Sequence, residues 1–374
     1  MKKCVKIYLL TIFILGIIIL SVGFYFLINN NKLNGYLIFS WGNIIGPLQP
    51  KTGPGGSNYL YGGMKQTGYR YNNAIYYIFE PKNPTPKSAP VLLYIHQVPG
   101  ADGMILQADL NKPFYINMIN HFVRKGYIVI FPSYGYYNAS AKDWEDNIIY
   151  ETKDALKKLK TEPGHVWPDE NKFAISGHSL GGLMTIIVGV DAVKKGLPEP
   201  KALIFHEGVS EERSKKLCAE NNITGNVYCV FNLPENYSSL NPNITLVYII
   251  DNEMAVGPPN ITREEWENLY IYGRLNKTEI SRKNKFFLFT RTDIYGTIDL
   301  VSNHNSVQVL PRVFPLYGMD YYGYWKPTVA ALNYAFYGKD YEYINESSDI
   351  AKDMGNWSDG TKVIPMLSGI DYGV

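Results

Sequence analysis

The sequence predicts an α/β domain built on a mostly parallel sheet, and three observations predict it. Short apolar runs of strand composition alternate with helical stretches from residue 74 to residue 290. Most intervals between those runs are long enough for crossover helices, which parallel neighbours require. Gly177, Ser179 and Gly181 stand between one such run and one such helix.

The elements follow in chain order. Residues 35–73 are rich in Gly, Pro and Tyr and read as a tether with opening strands, a hairpin. Residues 74–79 and 91–96 are strands, 113–125 a helix opened by Pro113, and 127–132 an apolar strand. Over 143–160, Trp144, Ile148, Ile149, Ala155, Leu156 and Leu159 recur at helical spacing. A strand at 172–176, a helix at 180–194 and a strand at 202–206 complete the regular half. A polar insertion at 207–243 interrupts the pattern, which resumes with strands at 244–250 and 285–290 around a helix at 263–275. The chain thus divides into an amino-terminal segment (1–30), a tether (31–73) and an α/β domain (74–374) carrying the insertion, with no internal repeat.

Composition excludes several classes. Of 374 residues, 36 Lys+Arg face 34 Asp+Glu, a net charge of +2, which lacks the dense basic face that nucleic acid demands. At 46% hydrophobic and 19% charged the chain can bury a core and is not disordered over most of its length. Three cysteines cannot form a disulfide framework. No metal signature and no phosphate-binding glycine loop is present, so neither metal nor cofactor is expected. Composition leaves the oligomeric state open.

The amino end points to a membrane. Residues 7–28 are uncharged and apolar, about 33 Å as a helix against a hydrocarbon core of about 30 Å. Lys2, Lys3 and Lys6 precede the run and only Lys32 follows closely, so the positive-inside bias leaves the body extracytoplasmic. A cleaved signal peptide is the rival reading, but the run ends in Asn29-Asn30-Asn31-Lys32 with no small-residue cleavage site. A single-pass signal-anchor in the cell membrane is the expectation. An exterior body would let Cys218 and Cys229 pair. It would also make glycosylation possible at the sequons beginning at Asn138, Asn222, Asn236, Asn243, Asn260, Asn276, Asn345 and Asn356.

Chemistry concentrates at Gly177-His178-Ser179-Leu180-Gly181-Gly182. A sharp strand-to-helix turn leaves no room for side chains two residues either side of a presented serine, so glycines flank it. The serine then stands at a helix amino terminus, where free N–H groups favour an oxyanion. In such elbows the acid and then the base follow later in the chain. Of six histidines only His206 and His304 follow Ser179, and only His304 also follows a suitable acid. His206 reads as lining the site or capping its strand. After the strand at 244–250, Glu253 is the candidate acid and Asp251 the alternative. The oxyanion donors would be the N–H of Leu180 and that of Gln97 or Val98, since Pro99 has none.

These residues resemble the α/β-hydrolase superfamily, and within it a chlorophyllase-like or dienelactone-hydrolase-like group of serine esterases. The resemblance covers roughly residues 74–365 and rests on His96 opening the oxyanion loop, Arg124 through Pro132, the elbow, and Asp251 through Gly257. More specific are Met319 through Lys326 and Met354 through Gly360, which read as packing elements behind the histidine loop. The chain departs from the group with Gln97 where Gly commonly follows the histidine, and with Glu253 where Asp is usual. The resemblance implies an α/β-hydrolase fold and serine-ester hydrolysis, without identifying a substrate. The leading reading is an enzyme acting on small-molecule or lipid-like esters through an acyl-enzyme, with residues 207–243 as a lid bearing Tyr228, Phe231 and Tyr237. Acyl transfer to an envelope alcohol or sugar, or a surface-binding module without turnover, are the alternatives.

Overall fold

The computed structural model describes residues 44–71, 74–97, 105–106, 108–136, 140–208, 219, 234, 236–252, 275–276, 278–309 and 316–372. The apolar run at 7–28 lies outside these. Among the described residues no helix is long and apolar enough to cross a membrane.

The main sheet is assembled from β1 (Gly63–Tyr71), β2 (Ala74–Lys82), β3 (Ser88–Ile95), β5 (Ile128–Phe131), β7 (Trp167–His178), β8 (Pro200–His206), β9 (Thr245–Asp251), β10 (Lys285–Thr290) and β11 (Leu367–Ser368). Its order is β1-β2-β5-β3-β7-β8-β9-β10-β11. From β5 to β10 all neighbours are parallel. The β1–β2 hairpin and β11 add antiparallel edges. A small ribbon, β4 (Ile105–Leu106) with β6 (Gly135–Tyr136), lies apart and has no counterpart in the expected elements.

The parallel strands are buried on both faces, and this explains their unbroken apolar composition. In β3, Val91, Leu93 and Ile95 join one core, while Leu92 and Tyr94 join the other. Helices α2 (Ala141–Thr161) and α3 (Leu180–Asp191) cover the first face. Helices α1 (Ala108–Lys125) and α4 (Lys326–Tyr337) cover the second. The six apolar residues expected to line the stripe of α2 are all buried. Ser140 caps that helix in a reciprocal box with Asp143.

The two largest boundary shifts from expectation have physical reasons. Strand β7 begins at Trp167, five residues early, because Trp167–Asp169 pair with Ser88–Pro90 across a register shift. Helix α1 begins at Ala108, so Pro113 lies inside it and not at its first turn. The expected helix at 263–275 falls almost wholly outside the described residues.

The chain leaves β3 for β5 on one side and later enters β7 on the other. The strand order therefore reverses between β3 and β7, the kind of switch point at whose carboxyl ends α/β sheets hold ligands. The insertion's described tail, 236–243, is not over that edge. Ser239 donates to the Val190 carbonyl near the end of α3 at 2.8 Å, and Asn241 donates to Glu199, just before β8, at 3.0 Å. Tyr237 packs partly buried against the core there, which corrects its expected place in a lid.

The carboxy-terminal stretch closes the second face. A π-helical turn, Met319–Trp325, runs into α4. Trp357 is 1% exposed, and its Nε1–H donates to Asp293 Oδ2 at 3.2 Å. Asp293 also accepts the Ile364 N–H at 2.9 Å, and so ties this stretch to the turn that follows β10. Trp357→Ala should therefore cost about 3–5 kcal/mol of unfolding free energy, the usual range for emptying such a site. Urea denaturation followed by circular dichroism measures it, and a loss below about 1 kcal/mol would show the tryptophan to be peripheral.

Candidate active site

Ser179 joins β7 to α3 with φ 57° and ψ −119°, a conformation rarely adopted by a residue with a side chain. The flanking glycines make it possible. A Cβ on Gly177 would lie 2.1 Å from the Gly181 carbonyl oxygen, and one on Gly181 would lie 2.0 Å from that of Ile95 at the end of β3. The Ser179 N–H donates to the His206 carbonyl at the end of β8, at 3.0 Å. The serine is thus pinned between its neighbouring strands. Leu180 opens α3, where helix geometry gives its N–H no acceptor within the helix.

His304 reaches the serine from the far side of the sheet. Its Nε2 lies 2.8 Å from Ser179 Oγ, 125 residues away in sequence. The loop that carries it is braced by its own small polar residues. Ser302 Oγ pairs with Thr290 Oγ1 at 2.7 Å, and the Ser302 N–H donates to Thr292 Oγ1 at 3.0 Å. Ser306 Oγ accepts the Asn303 N–H at 2.9 Å and donates to the Val301 carbonyl at 2.8 Å. Asn303 Oδ1 accepts the Asn305 N–H at 2.9 Å, a local turn of the kind asparagine favours.

Three further histidines stand at the same level on adjacent strands. His178 is paired with His206 in register, and His96 follows Ile95, the partner of Gly177. All three are fully buried. Burial lowers His96 to about 4 and His206 to about 3. Burial also pushes His178 well below the ordinary value, with the charge of His304 adding to the effect. They stay neutral at physiological pH and serve as fixed hydrogen-bonding groups. His206 Nε2 meets Thr328 Oγ1 at 2.8 Å. His96 Nδ1–H donates to the Gln97 carbonyl at 2.7 Å. His206 therefore belongs to the packed core beneath the serine.

Of the expected oxyanion donors, the Gln97 N–H is already engaged, donating to Tyr115 Oη at 3.3 Å. Val98 lies outside the described residues, as do Glu253, Cys218 and Cys229.

Asp251 ends β9, opposite Thr290, and is 1% exposed. Its backbone N–H donates to Glu207 Oε2 at 3.0 Å, and its side chain hydrogen-bonds the same carboxyl. Glu207 Oε1 accepts the Tyr324 hydroxyl at 2.7 Å. Burial holds Glu207 well above the ordinary carboxyl value, and the negative charge of Asp251 raises it further. Glu207 was read from sequence only as the point where the pattern breaks. A carboxylate directly after a buried strand was the available signal. Among the described residues no group of His, Cys, Asp and Glu is arranged to hold a metal.

No protein-family model and no curated protein matches the chain. Among solved structures it is similar to an inhibited esterase B from Lactobacillus rhamnosis, 11% identical over 52% of this chain and 69% of that one, with TM-score 0.37. A second structure of that esterase is 13% identical over 50% and 66%, with TM-score 0.37. A fungal esterase from Rhizomucor miehei is 14% identical over 72% and 82%, with TM-score 0.44. These are distant likenesses of fold.

Glu207 makes stability depend on pH with a definite sign. Its folded value lies above the ordinary 4.5, so the folded state keeps a proton that the unfolded chain has released. Stability should fall as pH rises from about 4.5 towards the folded value. Glu207→Gln keeps the shape without the proton and should flatten that decline. Melting temperatures of both proteins between about pH 5 and pH 8 check it. Parallel slopes would show that Glu207 ionises at no cost.

Proposed function

We propose that the chain is a serine hydrolase of the α/β-hydrolase type that cleaves carboxylic esters. The observation that carries this reading is the 2.8 Å approach of His304 Nε2 to Ser179 Oγ at a strained strand-to-helix turn. His304 takes the serine proton as Oγ attacks the acyl carbonyl, then returns it to the leaving alcohol. Water, activated by the same imidazole, releases the acid from the acyl-enzyme. Glu253 is the proposed acid that holds the imidazole tautomer, from its place in the loop after β9, and Asp251, whose N–H and side chain bond Glu207, is the alternative. The Leu180 N–H and the Val98 N–H are the proposed oxyanion donors, since that of Gln97 is given to Tyr115. The chlorophyllase-like or dienelactone-hydrolase-like grouping is the finer proposal. It is supported by the burial of Trp325 and Trp357, which lie in the two carboxy-terminal stretches.

A fluorophosphonate probe with a short-chain ester assay tests the reaction. Ser179→Ala should fold, escape labelling and retain only the residual of binding and oxyanion stabilisation, commonly about 10³- to 10⁴-fold over water. Turnover within tenfold of the parent removes Ser179 as nucleophile. Glu253→Gln should lower kcat by more than Asp251→Asn does, and the reverse ranking moves the acid role to Asp251.

We further propose that residues 7–28 anchor the enzyme in the cell membrane with its body outside, where Cys218 can pair with Cys229 and exposed sequons such as Asn236, Asn243 and Asn356 can carry glycans. Protease added to intact cells should then cut the body. A body protected until the cells are permeabilised would invert the orientation.

A further inference from the structure

The residue between Gly177 and Ser179 has both ring nitrogens committed. His178 Nε2 lies 2.7 Å from the backbone carbonyl oxygen of His304. A carbonyl only accepts, so this nitrogen carries the proton. Nδ1 is then bare and accepts the Tyr115 hydroxyl, 2.7 Å away. Tyr115 Oη in turn accepts the Gln97 N–H at 3.3 Å and the Gln308 Nε2–H at 3.1 Å. Every donor in the chain is therefore assigned by what its acceptor can do.

The groups linked here come from different parts of the fold. Gln97 follows β3, Tyr115 lies on α1, His178 ends β7, and Gln308 follows the loop that bears His304. Tyr115 and His178 are both fully buried. The imidazoles of His178 and His304 sit 5.2 Å apart between centroids. A proton gained at His178 would cost it the Tyr115 bond and set a second cation beside an imidazolium at His304. The tyrosine hydroxyl fixes the neutral Nε2–H form that grips the His304 carbonyl.

We infer that Tyr115 and His178 are positioning residues, which hold the backbone of His304 so that its imidazole meets Ser179 Oγ and which tie the oxyanion loop to the same frame. The inference rests on the serine-hydrolase reading above and adds to it what sets the base. Neither residue need touch the substrate. Their loss should act on the reaction and leave binding nearly unchanged.

The experiment uses the full chain and its Tyr115→Phe, His178→Ala and His178→Gln variants. It measures kcat and KM for a p-nitrophenyl ester, the rate of fluorophosphonate labelling at Ser179, and the ¹⁵N histidine spectrum. In the parent, His178 should give the neutral Nε2–H signature at all pH values where the protein is folded. Tyr115→Phe should lower kcat and the labelling rate about 10- to 100-fold with KM within about twofold, the scale of an ångström-size misplacement. Its melting temperature reports any loss of fold separately. His178→Gln, whose amide can still donate to the His304 carbonyl, should recover most of the rate that His178→Ala loses. Parent-like kcat in Tyr115→Phe overturns the inference, as does equal loss in the Gln and Ala variants or a His178 that titrates near neutrality. A parent that neither turns over ester nor labels at Ser179, with the His178 signature intact, overturns the hydrolase reading and this role with it.

Discussion

The site depends on one close approach of backbones, the meeting of β3, β7 and the first turn of α3 with no side chain between them. Gly181 has its Cα against the Ile95 carbonyl, and Gly177 faces the Gly181 carbonyl. Ser179 takes its left-handed φ of 57° between them. Such a conformation costs on the order of 1–3 kcal/mol and persists only where surrounding structure over-determines it. Here the Ser179 N–H is held by the His206 carbonyl, while its own carbonyl accepts from Gly182 and Leu183. The strain thereby fixes the direction of a hydroxyl.

A doubly covered sheet supplies the stiffness behind that turn. Its central strands are apolar on both faces, so the polar groups that the site needs collect at their carboxyl ends. His96, His178 and His206 form a row there, each held neutral by burial and each bonded to a defined partner. None of the three can compete for the serine proton at neutral pH. Desolvation, which makes these imidazoles poor bases, leaves them as rigid donors and acceptors.

The central strands were legible because burial on both faces writes itself as continuous apolar runs, and the helix at 141–161 because its stripe recurs at the helical period. The strand-to-helix turn was legible from its glycines, and chain order singled out the histidine that stands 2.8 Å from Ser179. What the sequence hid was non-local. The expected strand begins only at 172, and Trp167–Asp169 before it are extended because they pair with Ser88–Pro90. Tyr237 reads as a lid aromatic, but its neighbours Ser239 and Asn241 are bonded at the opposite edge of the sheet. The engagement of the Gln97 N–H depends on Tyr115, 18 positions away and on another element. Chain order sets His178 aside, since it precedes Ser179. Strand alternation does carry a signal, since 174, 176 and 178 share a face and Ala174 packs in the core covered by α1. That periodicity places His178 towards the helix that bears Tyr115.

The two partners that meet at 2.8 Å are held by different means, and the difference decides where the site tolerates change. Ser179 is placed by backbone geometry, for which Gly177 and Gly181 leave the room. His304 lies on a loop whose position is a sum of hydrogen bonds from Ser302, Asn303 and Ser306, with the His178 ring gripping its carbonyl. Each neutral bond contributes only about 1 kcal/mol, so no single bond from Ser302, Asn303 or Ser306 fixes the loop. Together they over-determine it, because they reach it from β10, from within the turn and from the end of β7. Misplacement of the imidazole then requires several bonds to fail, or one that joins two segments. His178 is of the second kind: it ends β7 and bonds the peptide of His304 itself. The distance between Ser179 and His304 is set through a residue whose chain neighbour is Ser179 itself.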